Sequence, residues 1–229
     1  MIPEGIHIGG KFGLIFASRL ILLFVSVIIN FAIYFKTKEI YELTEHKGIK
    51  YFREGFLFLA IANILGFFVR ALWRDLIWKN SSSLSHIIFF ICIFIAVCVY
   101  FLGLLNLFYS LTWKKYKNLE KIKKYHLLFP IILLLFMFGF KTGLPFLIVN
   151  AIFVITIFSI SLKQYFKQRK KKFSFIAGSY ILLIMSWFLT IMTIRMPLPD
   201  SIKMLNSTIG LALYFGIYYK VHKELSEKK

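Results

Sequence analysis

Charge is scarce in this chain of 229 residues: only 17% of them are charged, and acidic side chains number 10 against 29 Lys and Arg. Hydrophobic residues make up 59%, where a soluble domain carries about 45–50%. That excess excludes a water-soluble globule and makes lipid the expected solvent. Cysteine is nearly absent. Cys92 and Cys98 lie six apart in one apolar run, which on a helix sets them on different faces and prevents a bond between them. They form neither a redox CxxC nor a metal pair.

The motifs of several enzyme and carrier classes are also missing. There is no P-loop, no GxGxxG and no HExxH, and no pair of buried aspartates for an intramembrane protease. Gly178-Ser179 has no intramembrane histidine to activate it as a nucleophile. A proton-coupled carrier needs a buried carboxylate or histidine relay, and the apolar segments hold only Asp75, near one edge. No enzymatic activity is expected. No cofactor is expected either, because the last apolar run has no mid-span lysine for retinal and no span holds a metal motif.

What is present is a series of seven apolar runs: Phe12–Phe35, Gly55–Ile77, His86–Leu111, Leu127–Phe140 (125–140 with Tyr125 and His126), Leu144–Leu162, Phe173–Ile194 and Ile202–Tyr219. Most reach the roughly 17–25 residues that a helix needs to cross about 30 Å of hydrocarbon. The fourth is short, so it is expected to be tilted, locally thinned or re-entrant. Charge parity keeps it. With the N-terminus outside, the inward segments 36–53, 114–124, 163–172 and the tail from Lys220 hold 21 of the 29 basic residues, while the outward ones hold five. This is the bias of the positive-inside rule. The first run is too long for a signal peptide and contains Arg19, so it reads as a retained helix. The expectation is one all-α domain over 1–229: a multi-pass seven-transmembrane-helix bundle of the cell membrane, N-terminus outside and C-terminus cytoplasmic. Segment 36–53 reads as an inner connector, either solvated or a short amphipathic helix.

Seven crossings with an outer N-terminus invite comparison with rhodopsins and G-protein-coupled receptors. Their marks are absent, since there is no acidic-Arg-Tyr triplet after the third span and no NPxxY in the seventh. Topology alone does not license function.

Ionisable residues within spans are costly and mark candidate sites. Here they are Arg19, Arg70, Arg74 and Asp75. Arg19 lies seven residues below the outer start of its span and Arg70 seven before the outer end of the next, so the two should be level. Asn63, Gly66, Arg70 and Arg74 fall three, four and four apart along one helix face. Asn150, Trp187, Thr190 and Asn206 fall in the same outer layer. Together these residues suggest an outward-opening cationic pocket lined by amides. Guanidinium groups pair with carboxylate and phosphate oxygens, so the ligand would be a small anion or lipid head group. Long arginines can also reach the interface from this depth, and Asp75 can neutralise one of them. Asn30, Asn106, Ser179, Tyr180, Ser186 and Ser207 are expected to serve interhelical hydrogen bonds.

The leading functional expectation is a receptor or sensor that binds an anionic ligand outside and couples to a cytoplasmic signalling partner. The alternatives are a small-solute or lipid transporter, with Asn30, Asn106 and Tyr180 continuing the polar path inward, and a structural membrane subunit. Membrane lipids are expected partners, anionic lipid especially at the basic inner face. Nucleic acid is not, because the net charge of +19 sits between apolar segments and not on one basic surface.

Overall fold

The computed structural model describes residues 8–78, 83–113, 144–167, 178–185, 188 and 199–226. At 8–19, 70–78, 83–86, 144–150 and a few single positions it describes the backbone alone. The described residues are helical, with no strand among them. Five long helices are α1 (Ile8–Thr44), α2 (Lys47–Trp78), α3 (Ser83–Thr112), α4 (Leu144–Lys167) and α5 (Asp200–Ser226). A further helical stretch covers 178–185. The expected span 125–140 lies outside the described residues.

Among the described residues, two stretches are long and apolar enough to cross a membrane, Lys47–Val69 and Ile87–Thr112, and Ala151–Lys163 is a shorter apolar one. The first helix corrects the sequence reading. Segment 36–53 is not a connector: α1 continues to Thr44, α2 starts at Lys47, and only Glu45 and His46 lie outside helix. Charges end an apolar run, but they do not end a helix. Lys36–Glu39 at 3.9 Å and Lys38–Glu42 at 3.7 Å lie along the exposed side of the extension, where each contributes at most a few tenths of a kcal/mol. The larger contribution comes from the opposite face, where Ile33, Thr37 and Ile40 are buried. α1 ends because Glu45 turns left-handed, at φ 48°, while its N–H donates to the Tyr41 carbonyl at 2.7 Å. The His46 carbonyl then accepts from the N–H groups of Ile49 and Lys50 and starts α2.

α2 packs against both α1 and α3, α1 also against α5, and α3 against α4. The α2–α3 seam is close because Gly55 and Gly103 face each other across it. A Cβ on either residue would stand 3.3 Å from the other's carbonyl oxygen. One core joins all the described pieces: Ile33 of α1, Phe52 and Phe56 of α2, Leu107 of α3, Ile157 of α4, Tyr180 and Ile217.

Part of the polarity in this bundle is reversed relative to a soluble one, around a core that stays mainly apolar. α1 buries Ser26, Asn30 and Thr37 and exposes Ile21, Phe24, Ile28 and Phe35. Asn30 is 0% exposed while Ile28, two residues away, is 64% exposed. α3 likewise buries Asn106 and Ser110 and exposes Ile87, Ile91 and Phe94, and α4 buries Ser161 while exposing Ile152 and Ile155.

Candidate functional site

The half of the α1–α2 pair away from the α1–α2 turn is set in register by one side-chain bond. Ser26 Oγ donates to the Leu23 carbonyl at 2.8 Å, which leaves its lone pairs to accept from Asn63 Nδ2 at 3.3 Å. The Phe24 and Phe67 rings lie 6.2 Å apart across the same helix pair. Seven residues from Ser26, away from the α1–α2 turn, is Arg19, and seven from Asn63 in the same direction is Arg70. Seven residues are two turns, about 10.5 Å, and return to nearly the same face. The two arginine positions are therefore level on facing sides of one helix pair. Arg74 lies one turn beyond Arg70 on α2, with Asp75 next to it. At Arg19, Arg70, Arg74 and Asp75 the backbone alone is described, which fixes their height and face.

The remaining expected site residues are less closely gathered. Asn63 is half-buried and engaged with Ser26. Asn206 is half-buried in the outer part of α5, and α5 packs on α1. Asn150 belongs to α4 and is described in its backbone only. Trp187 and Thr190 lie outside the described residues, as does Ser186. The geometry thus brings Arg19, Asn63 and Arg70 into one column, and it does not join Asn150 to them.

A second polar layer lies deeper, toward the end of the bundle where α1 meets α2. Tyr180, fully buried, shares a hydrogen bond with Ser110 Oγ at 2.5 Å, and Ser110 in turn donates to the Leu107 carbonyl at 2.9 Å. With the serine proton on Leu107, the tyrosine hydroxyl is the donor to Ser110. Tyr180 also meets Phe52 edge-on, ring centroids 5.4 Å apart. The expectation of an interhelical bond therefore holds at Tyr180. Among the described residues the Asn30 amide, Asn106 Oδ1, Ser179 Oγ and Ser161 Oγ are buried without a hydrogen-bond partner. An unpartnered buried polar group costs about 1–3 kcal/mol and calls for a physical reason, such as a bound water or solute. Periodicity could have pointed to part of this layer, since Ser26, Asn30, Ile33 and Thr37 fall on one face of α1. Ser110 and Ser161 carried no such signal, because each is a lone hydroxyl in an apolar run.

Among the described residues no group of three or more His, Cys, Asp or Glu could hold a metal ion. Cys92 and Cys98 are both free thiols.

The chain is similar to an uncharacterized protein of Archaeoglobus fulgidus, 27% identical over 214 residues that cover 88% of this chain and 89% of the other. No family model and no solved structure matches it.

Proposed function

We propose that the chain is a multi-pass membrane receptor or sensor, seven spans with its N-terminus outside, that binds a small anion or lipid head group between Arg19 and Arg70 and couples inward through its basic connectors. The observation that carries this reading is the register pinned by Ser26 and Asn63, which sets two arginines level across one interface. Two guanidinium groups at one height repel, and the repulsion is strong where water is scarce. An anion between them reverses its sign and accepts paired hydrogen bonds from both. The reversed polarity of α1, α3 and α4 supports lipid as the medium, because helices that expose isoleucine and phenylalanine while burying asparagine and serine cannot satisfy both faces in water. The basic residues of 36–53, 114–124 and 163–172 support an inner face that meets anionic lipid or an acidic partner surface.

Sulfate, phosphate and citrate, added in turn to the detergent-solubilised protein, test the pocket. At saturation, about a hundredfold over the dissociation constant, at least one should stabilise the wild type by about 2.7 kcal/mol. The combined change Arg19→Ala and Arg70→Ala should abolish that gain. An equal gain in the double variant places the site elsewhere.

Transport of a small solute is the second reading, and the unpartnered Asn30, Asn106, Ser161 and Ser179 favour it, since polar groups without protein partners suit a hydrated path. Uptake of labelled sulfate or phosphate into vesicles carrying the purified protein separates the two, because a receptor gives none.

A further inference from the structure

Arg53 stands in the second turn of α2 and leans on α1. Its guanidinium carbon lies 5.2 Å from the Tyr34 ring centroid and 5.1 Å from that of Tyr41. Those tyrosines are seven residues apart, two helical turns or about 10.5 Å, so the cation is held between two rings nearly equidistant from it. Aromatic faces attract the cation and restrict its plane, but they accept few of its five N–H donors. Arg53 Nε is buried with no hydrogen-bond acceptor among the described residues. On α1, Glu39 pairs with Lys36 and Glu42 with Lys38. Arg53 as a whole is intermediate in exposure, so part of its side chain meets the surroundings of the bundle. Lys38, on the α1 face between the two tyrosines, and Lys50, one turn before Arg53, are both exposed beside it.

From this geometry we infer that the α1–α2 groove is a specific site for the phosphate of an anionic phospholipid of the inner leaflet, held by the Arg53 fork with Lys38 and Lys50 beside it. A guanidinium fork matches two phosphate oxygens, and the clamping rings remove most of the freedom that such pairing would otherwise cost. Basic pockets between helices on the cytoplasmic side suit lipid phosphates, and tyrosines belong at that depth. The site lies about 25 Å along α2 from Arg70, at the opposite end from the Arg19 and Arg70 pair, and it does not depend on that pair having a ligand.

The test uses the full chain, exchanged into phosphatidylcholine bilayers with and without phosphatidylglycerol and read by native mass spectrometry for retained phosphatidylglycerol. Wild type should retain it. Arg53→Gln should weaken retention about tenfold, as expected for loss of a charge-assisted pair. Lys223→Gln, a cation of the tail, should match the wild type, as should Arg19→Ala with Arg70→Ala, and inorganic phosphate should not compete. If Arg53→Gln does not fold, Arg53→Lys decides, since it keeps the charge, loses the fork and should still weaken retention severalfold. Undiminished retention in the Arg53 variants overturns the site, and an equal loss in Lys223→Gln means diffuse charge instead. Full competition by inorganic phosphate overturns the lipid assignment. A protein that enters neither bilayer overturns this site and the membrane reading together.

Discussion

Tyr180→Ala should lower the unfolding free energy of the detergent-solubilised protein by about 4 kcal/mol, within the range of a buried aromatic truncated to alanine. The ring is fully buried and reaches across the bundle to Phe52 of α2 and Ser110 of α3. The core cluster to which it belongs draws residues from every described helix, so no single helix can move into the space left by its removal without losing contacts elsewhere. The hydroxyl accounts for a small share. Tyr180→Phe keeps the ring and leaves Ser110 bonded to the Leu107 carbonyl, so it should cost only about 1 kcal/mol. Thermal unfolding of the two variants beside the wild type measures both. An alanine variant within about 1 kcal/mol of the phenylalanine one would mean that Tyr180 does not join the helices, whatever its burial.

Gly55→Val should cost about 3 kcal/mol, at the upper end for overpacking. Its Cβ would stand 2.5 Å from Leu107 Cδ2 and 3.3 Å from the Gly103 carbonyl oxygen. The leucine tip can rotate away, but the carbonyl belongs to a helix backbone and moves only if α3 moves. Alanine brings that same Cβ, 2.9 Å from Leu107 Cγ as well, so Gly55→Ala should already cost about 1–2 kcal/mol, less than valine. Valine adds two methyl groups that a leucine rotation cannot accommodate. The contrast between the two substitutions, read in the same thermal assay, isolates the closeness of the α2–α3 seam from the helix propensity of the residue. Similar losses for alanine and valine would place the seam further apart than 3.3 Å to that oxygen implies.

Some of this architecture can be read directly from apolar runs. α3, α4 and α5 begin at Ser83, Leu144 and Asp200, close to the expected run starts at His86, Leu144 and Ile202. The junction of α1 and α2 could not be read that way. Hydropathy reports where a chain leaves lipid, whereas the helix there is ended by Glu45 adopting a positive φ that no glycine announces. That junction also explains why Arg53 was assigned to a connector: its role depends on Tyr34 and Tyr41, residues of another helix that only the turn brings beside it. The facing of Gly55 and Gly103 is illegible for the same reason, since nothing in either neighbourhood specifies the other. The level of Arg19 and Arg70 could be reached by counting inward from the outer ends of two apolar runs. The bond between Ser26 and Asn63 leads to it independently, because it fixes the register from inside the pair. The unpartnered Asn30 and Asn106 show the limit of residue-type reasoning, since an amide in an apolar run predicts a bond without naming an acceptor.

The proposed outer pocket and the proposed inner lipid site both require the N-terminus outside and the α1–α2 turn inside, and the seven-span topology adds a cytoplasmic C-terminus. Protease accessibility of epitope tags at the two ends, in intact cells and again after permeabilisation, measures this directly. The N-terminal tag should be cleaved from outside in intact cells and the C-terminal tag only after permeabilisation. Two tags cleaved together, under either condition, would contradict the topology from which both sites take their side of the membrane.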